Sequence, residues 1–436
     1  MAEMTKLVAI DQVKIGMFIK LDLSWFEHSF PMSSFKITNE QQIQDLIALN
    51  LKHVRYIPAK TDPAALRLIE PANNETPKAV DPDQAPANVF DSIIAAKKAR
   101  FEKLQRQREE IARCEAKFIK ASAVVKNINK FIFSKPKETL VEAGQLIDSI
   151  ADVFLTGNDA IMHLIQQSEG TEELYFHALN VSVLAMMLAH EMNCTEAQMK
   201  VIGMAALFHD LGKTKIPDQV NKKITPLTKP EQNLLELHPV YGVEIGRVAG
   251  MDKVTLDVMA NHHEYMDGSG YPNRLKGDGL SLPTRIITVA NVYDNLCNHI
   301  DFHQSMTPHE ALSIMYAHRK SQFDPVVMGV LIKSLGVYPP GTLVRLSNDA
   351  IGLVMNVNVG MPLRPRILVY DDEIPKKEAI ILDLSAESSE LAITGSIRPG
   401  LLPKVIFDYL NPRKRVSFYM DSKIKNVSAA TLSGDV

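Results

Sequence analysis

The spacing of apolar and polar positions changes along the chain, and each change predicts a different kind of structure. In residues 1–62 the short apolar-rich stretches KLVAI, MFIKLDL and HVRYIPA are typical of strands, and NEQQIQDLIALN has the spacing of an amphipathic helix. This segment therefore predicts a small α/β module. Residues 63–88 are rich in proline, alanine, asparagine and aspartate, a composition that indicates a linker.

Helical spacing dominates the long middle of the chain. Residues 89–135 predict one long helical connector. It is better explained as a helix packed on its own domain than as a coiled coil, because Arg108 and Glu115 interrupt the second apolar stripe. Residues 136–336 predict an all-helical domain. Three of its helix starts match a capping box, in which a threonine is followed three residues later by Gln or Glu: Thr195–Gln198, Thr228–Glu231 and Thr307–Glu310.

The pattern changes again after residue 336. Turn residues separate the short stretches TLVRLS, AIGLVMNVN, RILVYD, AIILDL and RVSFYM, which predict a small β-rich domain of barrel or sandwich type over residues 337–436. The whole chain therefore predicts a mainly α protein, with an all-helical core between a small α/β module and a small β-rich domain.

Composition and charge narrow the classes of protein to consider. The formal net charge is −3, so no strong basic field favours a nucleic-acid partner. The three cysteines are far apart and form neither a disulfide framework nor a zinc-binding spacing, which favours a reducing cytoplasm. The sequence shows neither a signal peptide nor an apolar run of about 18 residues, so we expect a cytoplasmic protein without membrane association.

Histidines and aspartates in the middle of the chain form its most informative pattern. An adjacent His209-Asp210 pair is followed by Leu-Gly-Lys, His238 stands alone, and an adjacent His262-His263 pair precedes an acidic and glycine-rich turn. Imidazole and carboxylate ligands together suit divalent transition metals, and two ions that share one carboxylate favour hydrolysis of a phosphate ester. We therefore predict a polynuclear metal centre in which Asp210 is the bridging carboxylate.

Neighbouring residues extend this prediction. Glu173 and His177 share a helix face at a spacing that could chelate one ion, although an exposed glutamate with a packed histidine is the commoner arrangement. Lys213 is placed to neutralise a substrate phosphate, or else is a surface charge. Because adjacent residues of a helix point about 100° apart, a helix end near Asp267-Gly268 would help the two adjacent histidines to converge.

A known family carries the same motifs. The chain closely resembles the HD-GYP family of HD-superfamily metal-dependent phosphohydrolases in HDLGKTKIP, HHEYMDGSGYP and TRIITVANVYDNL, and in His177 and His238 at the matching places. The resemblance covers roughly residues 136–336, and the N-terminal module resembles the uncharacterised domain that often precedes HD-GYP domains in bacteria. It implies an all-α core that holds two or three iron or manganese ions. It also implies hydrolysis of cyclic di-GMP to pGpG or GMP, by in-line attack of a metal-bridging hydroxide.

The resemblance implies roles for single residues as well. The implied metal ligands are His177, His209, Asp210, His238, His262 and His263, with Glu173 at the place of an extra ligand in trinuclear members. Lys213 matches a residue that contacts a substrate phosphate. The loop signature, which implies further substrate contacts, comprises Asp267, Gly268, Gly270, Tyr271 and Pro272.

Two departures from the family pattern leave other functions open. Many members carry an aspartate ligand where this chain has Asn291, whose amide oxygen can coordinate a metal but brings no charge. Arginines that grip the phosphates in many members are absent here, at Ile300 and His303. The side chains that could replace them are His299, His303, Arg319 and Lys320. The alternative functions are a sensor or scaffold that docks a diguanylate cyclase, and a phosphodiesterase for another cyclic dinucleotide. A homodimer is also compatible with the sequence.

Overall fold

The structure is a computed structural model. It describes residues 5–23, 28, 30, 34–49, 51–67, 87–156, 161–164, 173–299, 304–358, 361–372, 374, 376, 379–387, 389, 391–410 and 418–421. In these ranges a helical body lies between a small N-terminal sheet with a helix and a C-terminal sheet, as the sequence predicts. None of the described helices combines the length and the apolar character that a membrane span requires.

The N-terminal module is an antiparallel sheet covered by one helix. Its strands are β1 (Lys6–Ala9), β2 (Phe18–Lys20), β3 (Ser34–Lys36) and β4 (His53–Tyr56), in the spatial order β1-β4-β2-β3. Helix α1 (Glu40–Ala48) begins after Asn39, whose side chain accepts a hydrogen bond from the backbone N–H of Gln42. The α1 residues Ile43 and Leu46 pack into the core of the module. The short turn α2 (Pro63–Leu66) follows β4.

The helical body supplies most of the described structure. Its helices are α3 (Ala87–Phe131), α4 (Pro136–Thr156), α5 (Glu173–Glu191), α6 (Glu196–Phe208), α7 (Asp218–Asn221), α8 (Lys229–Leu235), α9 (His238–Ala249), α10 (Lys253–Asn261), α11 (Leu282–Cys297), α12 (Pro308–Ala317) and α13 (Pro325–Leu335). All three predicted capping boxes are confirmed, at the starts of α6, α8 and α12. Helix α5 lies at the centre of the body, because it is apolar on all sides and nearly every residue from Ala178 to Ala189 is buried.

One strand interrupts the region that the sequence predicts as helical. Strand β5 (Ile161–Leu164) pairs antiparallel with β11 (Phe418–Asp421), which comes from the far end of the chain. A short apolar run such as IMHL suits a strand as well as a helix, and a distant pairing partner decides between them. The prediction missed β5 because that partner is not visible in the local pattern.

The C-terminal domain is a five-stranded antiparallel sheet with one helix. The strand order is β10-β6-β7-β8-β9, formed by β6 (Leu343–Leu346), β7 (Ile351–Asn356), β8 (Arg366–Val369), β9 (Ile381–Asp383) and β10 (Ile393–Ile397), and α14 (Lys404–Leu410) follows. Val344 and Val354 belong to a core on one face of the sheet. Leu343 and Leu353, on the other face, belong to the buried cluster of the helical body. Strands β6 to β10 thus form a single sheet that packs on the helices, so the predicted barrel or sandwich type is wrong. Strand β11, at the end of the predicted strand RVSFYM, pairs with β5 instead.

Candidate metal centre

The predicted ligands lie mostly at helix ends. Helix α6 ends at Phe208, so that His209 is its C-cap and Asp210 has already left helical geometry, with φ −98° and ψ 7°. His238 opens α9, and α10 ends at Asn261 with His262 as its C-cap. The predicted helix end near Asp267-Gly268 is therefore wrong by a few residues. The reason for expecting a helix end holds. His262 and His263 follow the last residue of the helix, so helix geometry does not force their side chains to point about 100° apart.

Gly212 allows the segment after Asp210 to approach α9. A Cβ atom at Gly212 would collide with the carbonyl oxygen of His238 and the backbone nitrogen of Gly242. Only a glycine permits this close backbone contact. The contact brings Asp210 next to His238, although 27 residues separate them in the sequence.

The Asp210 carboxylate faces two sets of histidines. Its Oδ2 lies 3.5 Å from His177 Nε2 and 3.4 Å from His209 Nε2. Its Oδ1 lies 3.3 Å from His238 Nε2 and 3.6 Å from His262 Nε2. We call His177, His209 and Asp210 the first group, and Asp210, His238, His262 and His263 the second group. In each group the potential ligand atoms lie within 4.8 Å of one another.

Hydrogen bonds that the outer ring nitrogens donate turn the inner ring nitrogens toward Asp210. His209 Nδ1 lies 2.6 Å from the carbonyl oxygen of Ala206, and His238 Nδ1 lies 2.7 Å from that of Leu235. A backbone carbonyl only accepts, so each Nδ1 carries the hydrogen and each Nε2 presents a lone pair to the centre. This is the arrangement that metal-ligating histidines adopt.

Opposed lone pairs and orphaned atoms indicate that the centre is built for cations. His177 Nε2 and His209 Nε2 are 3.3 Å apart, and His238 Nε2 and His262 Nε2 are 3.1 Å apart. Among the described residues, Asp210 Oδ1 and His263 Nε2 are buried without a hydrogen-bond partner. Buried polar atoms left unpaired cost free energy, and a shared divalent ion would satisfy them. The donor set of imidazoles and one carboxylate fits a divalent transition metal.

The protonation states agree with this interpretation. Burial lowers the pKa of His262 to about 3 and that of His263 well below its usual value, so both are neutral imidazoles that can coordinate. Burial opposes the charged forms of His177 and Asp210 too, but their mutual interaction and other neighbours prevail. The pKa of His177 rises to about 9 through hydrogen bonds to Asp210 and Asp294, so without a metal its Nε2 holds a proton that a bound cation would displace. The charge of the Lys213 ammonium holds the pKa of Asp210 well below its usual range.

Lys213 lies against the Asp210 carboxylate. Its Nζ donates a hydrogen bond to Asp210 Oδ2 at 2.6 Å, and its side chain is 21% exposed. The ammonium group thus borders the first group and still reaches solvent.

The glycine-rich loop folds back over a predicted ligand. The Tyr271 ring stacks on the His263 ring, with centroids 4.6 Å apart and planes inclined by 14°. A Cβ at Gly270 would collide with the backbone of His263 and Glu264, so this close approach requires glycine. The fully buried Glu264 carboxylate accepts hydrogen bonds from the backbone N–H groups of Asn273 at 2.5 Å and Leu275 at 3.0 Å. The sequence reasoning missed Glu264, although it directly follows the histidine pair.

The other loop residues contact the protein itself. Asp267 accepts hydrogen bonds from Ser269 and Ser321, and Gly268 has a φ of +78°. The peptide bond between Tyr271 and Pro272 is cis. The substrate contacts predicted for the five loop residues stay predictions.

The departure at Asn291 lies on α11. Asn291 is buried, and its Oδ1 accepts a hydrogen bond from Asn295 Nδ2 at 2.7 Å. Asp294, one turn later, hydrogen-bonds His177 Nδ1 through its Oδ2 at 2.6 Å. Asp294 thus contacts a predicted ligand, a role that the sequence motifs did not indicate. Its place one helical turn after a ligand position is the signal that could have identified it.

Several residues that the sequence suggested for metal or phosphate binding are outside the described residues or make other contacts. His303 is outside them, and of Glu173 only the backbone is described, as the first residue of α5. Arg319 donates hydrogen bonds to Gln322 Oε1 at 2.6 Å and to the Tyr265 hydroxyl at 3.1 Å. Its guanidinium therefore supports the segment around Tyr265, which argues against a role in gripping phosphate. Lys320 Nζ lies 6.0 Å from the centre of the Tyr316 ring.

Comparisons with known proteins agree with the domain order. The family model described as an HD domain matches residues 146–327, and a domain of unknown function, DUF3391, matches residues 5–143. A cyclic di-GMP phosphodiesterase of Pseudomonas aeruginosa is 29% identical over 370 residues, which cover 84% of this chain and 85% of the relative.

Two further relatives match over a shorter length. The cyclic di-GMP phosphodiesterase response regulator RpfG of Xanthomonas campestris is 36% identical over 155 residues, covering 35% of this chain and 41% of RpfG. A 3'3'-cGAMP-specific phosphodiesterase of Vibrio cholerae is 30% identical over 190 residues, covering 43% of this chain and 36% of the relative. The chain thus spans less than half the length of these two proteins.

Proposed function

Because the chain belongs to the HD-GYP family, with a DUF3391 domain before its HD domain, we propose that it is a metal-dependent phosphodiesterase that hydrolyses cyclic di-GMP. The observation that carries the proposal is the Asp210 carboxylate, whose two oxygens face two separate sets of histidines. This geometry supports a centre of two divalent ions, and by resemblance we propose Glu173 as the extra ligand of a third ion. When bound, such ions activate water and stabilise negative charge on the phosphate.

The chain's own residues prepare the centre for a phosphodiester. Asp210 holds the two groups together, and the carbonyl-anchored histidines keep their Nε2 atoms directed inward. Lys213 borders the first group and reaches solvent, so that its ammonium is available to a non-bridging phosphate oxygen. These features favour in-line displacement at the phosphorus, with Asp210 and Lys213 as the central residues.

The metal and the products form the finer part of the proposal. The mixture of imidazole and carboxylate ligands suits zinc, iron, manganese or nickel, and among these the resemblance to the HD-GYP family implies iron or manganese. Hydrolysis of one phosphodiester of cyclic di-GMP yields pGpG, and hydrolysis of both yields GMP. The proposal includes two protein partners of this chain. One is a diguanylate cyclase, which supplies the substrate, and the other is a second copy of the chain.

The test combines metal content with turnover. Protein purified without oxygen is loaded with Fe²⁺ or Mn²⁺, its metal is counted by elemental analysis, and cyclic di-GMP hydrolysis is followed by chromatography. We expect turnover that depends on metal. The His209→Ala, Asp210→Ala double variant should lose both metal and turnover, and full activity of this variant would show the mechanism to be wrong.

The same assay separates the substrates and the sensor alternative. The similarity to a 3'3'-cGAMP-specific phosphodiesterase makes this dinucleotide the appropriate competitor. If 3'3'-cGAMP is hydrolysed faster than cyclic di-GMP, then 3'3'-cGAMP is the substrate and the proposed reaction type still holds. If the metal-loaded protein binds cyclic di-GMP tightly but does not hydrolyse it, the protein is a sensor and not an enzyme.

A further inference from the structure

Asp294 has an environment unlike that of the other carboxylate at the centre. Its side chain is fully buried, and its two oxygens have separate partners. Oδ2 lies 2.6 Å from His177 Nδ1, and Oδ1 accepts hydrogen bonds from Asn180 Nδ2 and Asn298 Nδ2, both at 2.9 Å. Three donors thus surround a carboxylate that faces away from the interior of the first group.

We infer that Asp294 is a positioning residue, which fixes His177 with its hydrogen on Nδ1 and its Nε2 lone pair directed into the first group. His177 is the member of this group that cannot use a backbone carbonyl, because it lies inside α5, where carbonyl oxygens are committed to the helix. His209 and His238 use carbonyl oxygens near helix ends for the same purpose. The buried carboxylate on α11 takes the place of that carbonyl.

The two asparagines give the carboxylate its direction. A carboxylate only accepts hydrogen bonds, so two amide donors on Oδ1 leave Oδ2 to accept from the His177 ring. Asn180 lies on α5 and Asn298 caps α11, so the network also joins the two helices that carry the pair. Buried networks in which each member is satisfied hold one arrangement of their side chains.

The variant Asp294→Asn tests this role through hydrogen-bond chemistry. An asparagine has the same shape but only one acceptor oxygen. If its NH₂ group faces His177, the ring must accept on Nδ1, and in the neutral ring the hydrogen moves to Nε2, where it blocks coordination. If the NH₂ group faces Asn180 and Asn298, three amide donors meet without an acceptor. Either orientation weakens the first group and leaves the second group untouched.

The experiment measures metal binding on the full chain, independently of turnover. Metal-free protein is titrated with Mn²⁺ against a chromophoric chelator, and electron paramagnetic resonance distinguishes spin-coupled pairs from isolated ions. The inference rests on the proposed function in so far as both groups bind metal. For Asp294→Asn we expect affinity at the first group to fall about 10- to 100-fold, with isolated Mn²⁺ ions at the second group.

Two further variants complete the design. Asp148→Asn is the matched control, since Asp148 is an exposed carboxylate on α4 that pairs with Lys200 and carries the same chemical change. It should retain spin-coupled pairs. Asn298→Ala removes one of the two donors to Oδ1 at a partly exposed position, and should weaken the first group less than Asp294→Asn does. If Asp294→Asn fails to fold, the metal affinity of Asn298→Ala at the first group tests the inference in its place.

Two outcomes would overturn the inference. One is wild-type affinity at the first group in Asp294→Asn, or in Asn298→Ala if that variant alone folds. The other is equal weakening of both groups together with a lower melting temperature of the metal-free protein, which would indicate a purely structural role. A wild-type protein that binds both ions but hydrolyses no cyclic dinucleotide would contradict the proposed function and leave this inference standing.

Discussion

At the scale of single residues, the centre depends on which nitrogen of each histidine carries the hydrogen. Sequence alone indicates that histidines are present but not which ring atom is free. His209 and His238 direct Nε2 inward because backbone carbonyls accept from Nδ1. His177 does so through Asp294, which belongs to another helix. The three histidines thus all donate from Nδ1, although one donates to a carboxylate and two donate to backbone carbonyls.

Asn291 leads to a prediction at this scale. The variant Asn291→Asp adds a negative charge at a buried position one turn before Asp294, and Asn295 can still donate to it. If Asn291 lies at a ligand position, divalent metal should bind about tenfold more tightly, which corresponds to about 1.4 kcal/mol. The dissociation constants for Mn²⁺ before and after the substitution measure this.

The control for Asn291→Asp carries the same added charge at an exposed position. Asn127→Asp places it on the exposed side of α3 and should change metal affinity much less, because solvent screens it. Equal effects of the two substitutions would mean that only net charge matters, and Asn291 would not be a ligand.

At the scale of elements, the loop after α10 is organised around Glu264. Its buried carboxylate accepts from two backbone N–H groups beyond Pro272, and this clamp holds Tyr271 on the ring of His263. The sequence reasoning treated the loop as a substrate contact. The described contacts show that it also packs on a predicted ligand, a relation that depends on how the chain folds back.

The variant Glu264→Gln tests this clamp. An amide supplies one acceptor and one donor, so at this buried side chain the NH₂ group would meet one backbone N–H without an acceptor, at a cost of about 1–3 kcal/mol. We expect a lower melting temperature and weaker metal binding at the second group. Differential scanning calorimetry and metal titration measure the two effects.

The matched control for the clamp is Asp267→Asn on the same loop. Asp267 also accepts hydrogen bonds but is partly exposed, so water can replace a lost partner and stability should change little. If Glu264→Gln is as stable as Asp267→Asn and binds metal normally, the clamp has no influence on His263.

At the scale of the whole molecule, the C-terminal sheet and the helices share a core. Leu343, Leu353, Met355 and Leu410 belong to the same buried cluster as the helices of the body. Arg398 pairs with Glu310 at the start of α12 at 2.5 Å, and β11 returns to pair with β5. The helices and the C-terminal sheet are therefore expected to unfold together.

The variant Leu353→Ala tests this coupling. Leu353 is fully buried, and its truncation should cost about 2–5 kcal/mol. Because the residue lies in the shared cluster, the far-ultraviolet circular dichroism of the helices should be lost at a lower temperature and in a single transition. Val405→Ala, at a position 67% exposed on α14, should leave the transition unchanged. A separate early transition of the sheet, with unchanged melting of the helices, would show the two parts to be independent.

The local sequence sufficed for the elements whose signals are short-range. Capping boxes at Thr195, Thr228 and Thr307, the alternating strands of the two sheets, and the metal-ligand types near His209 and His262 all depend on residues within a turn or two of one another. Strand β5 and the role of Asp294 could not be read in this way. Their partners lie more than a hundred residues away, and only folding brings them together.

By itself, then, the sequence determined the fold class, the resemblance to a family and the candidate metal ligands, because motif spacing and apolar periodicity are properties of neighbouring residues. Tertiary structure alone decided how those residues act together. It placed the two oxygens of Asp210 between two sets of histidines, assigned Asp294 to His177 and folded the Tyr271 loop onto His263. Each of these depends on distances across helices, which the linear order of residues does not contain.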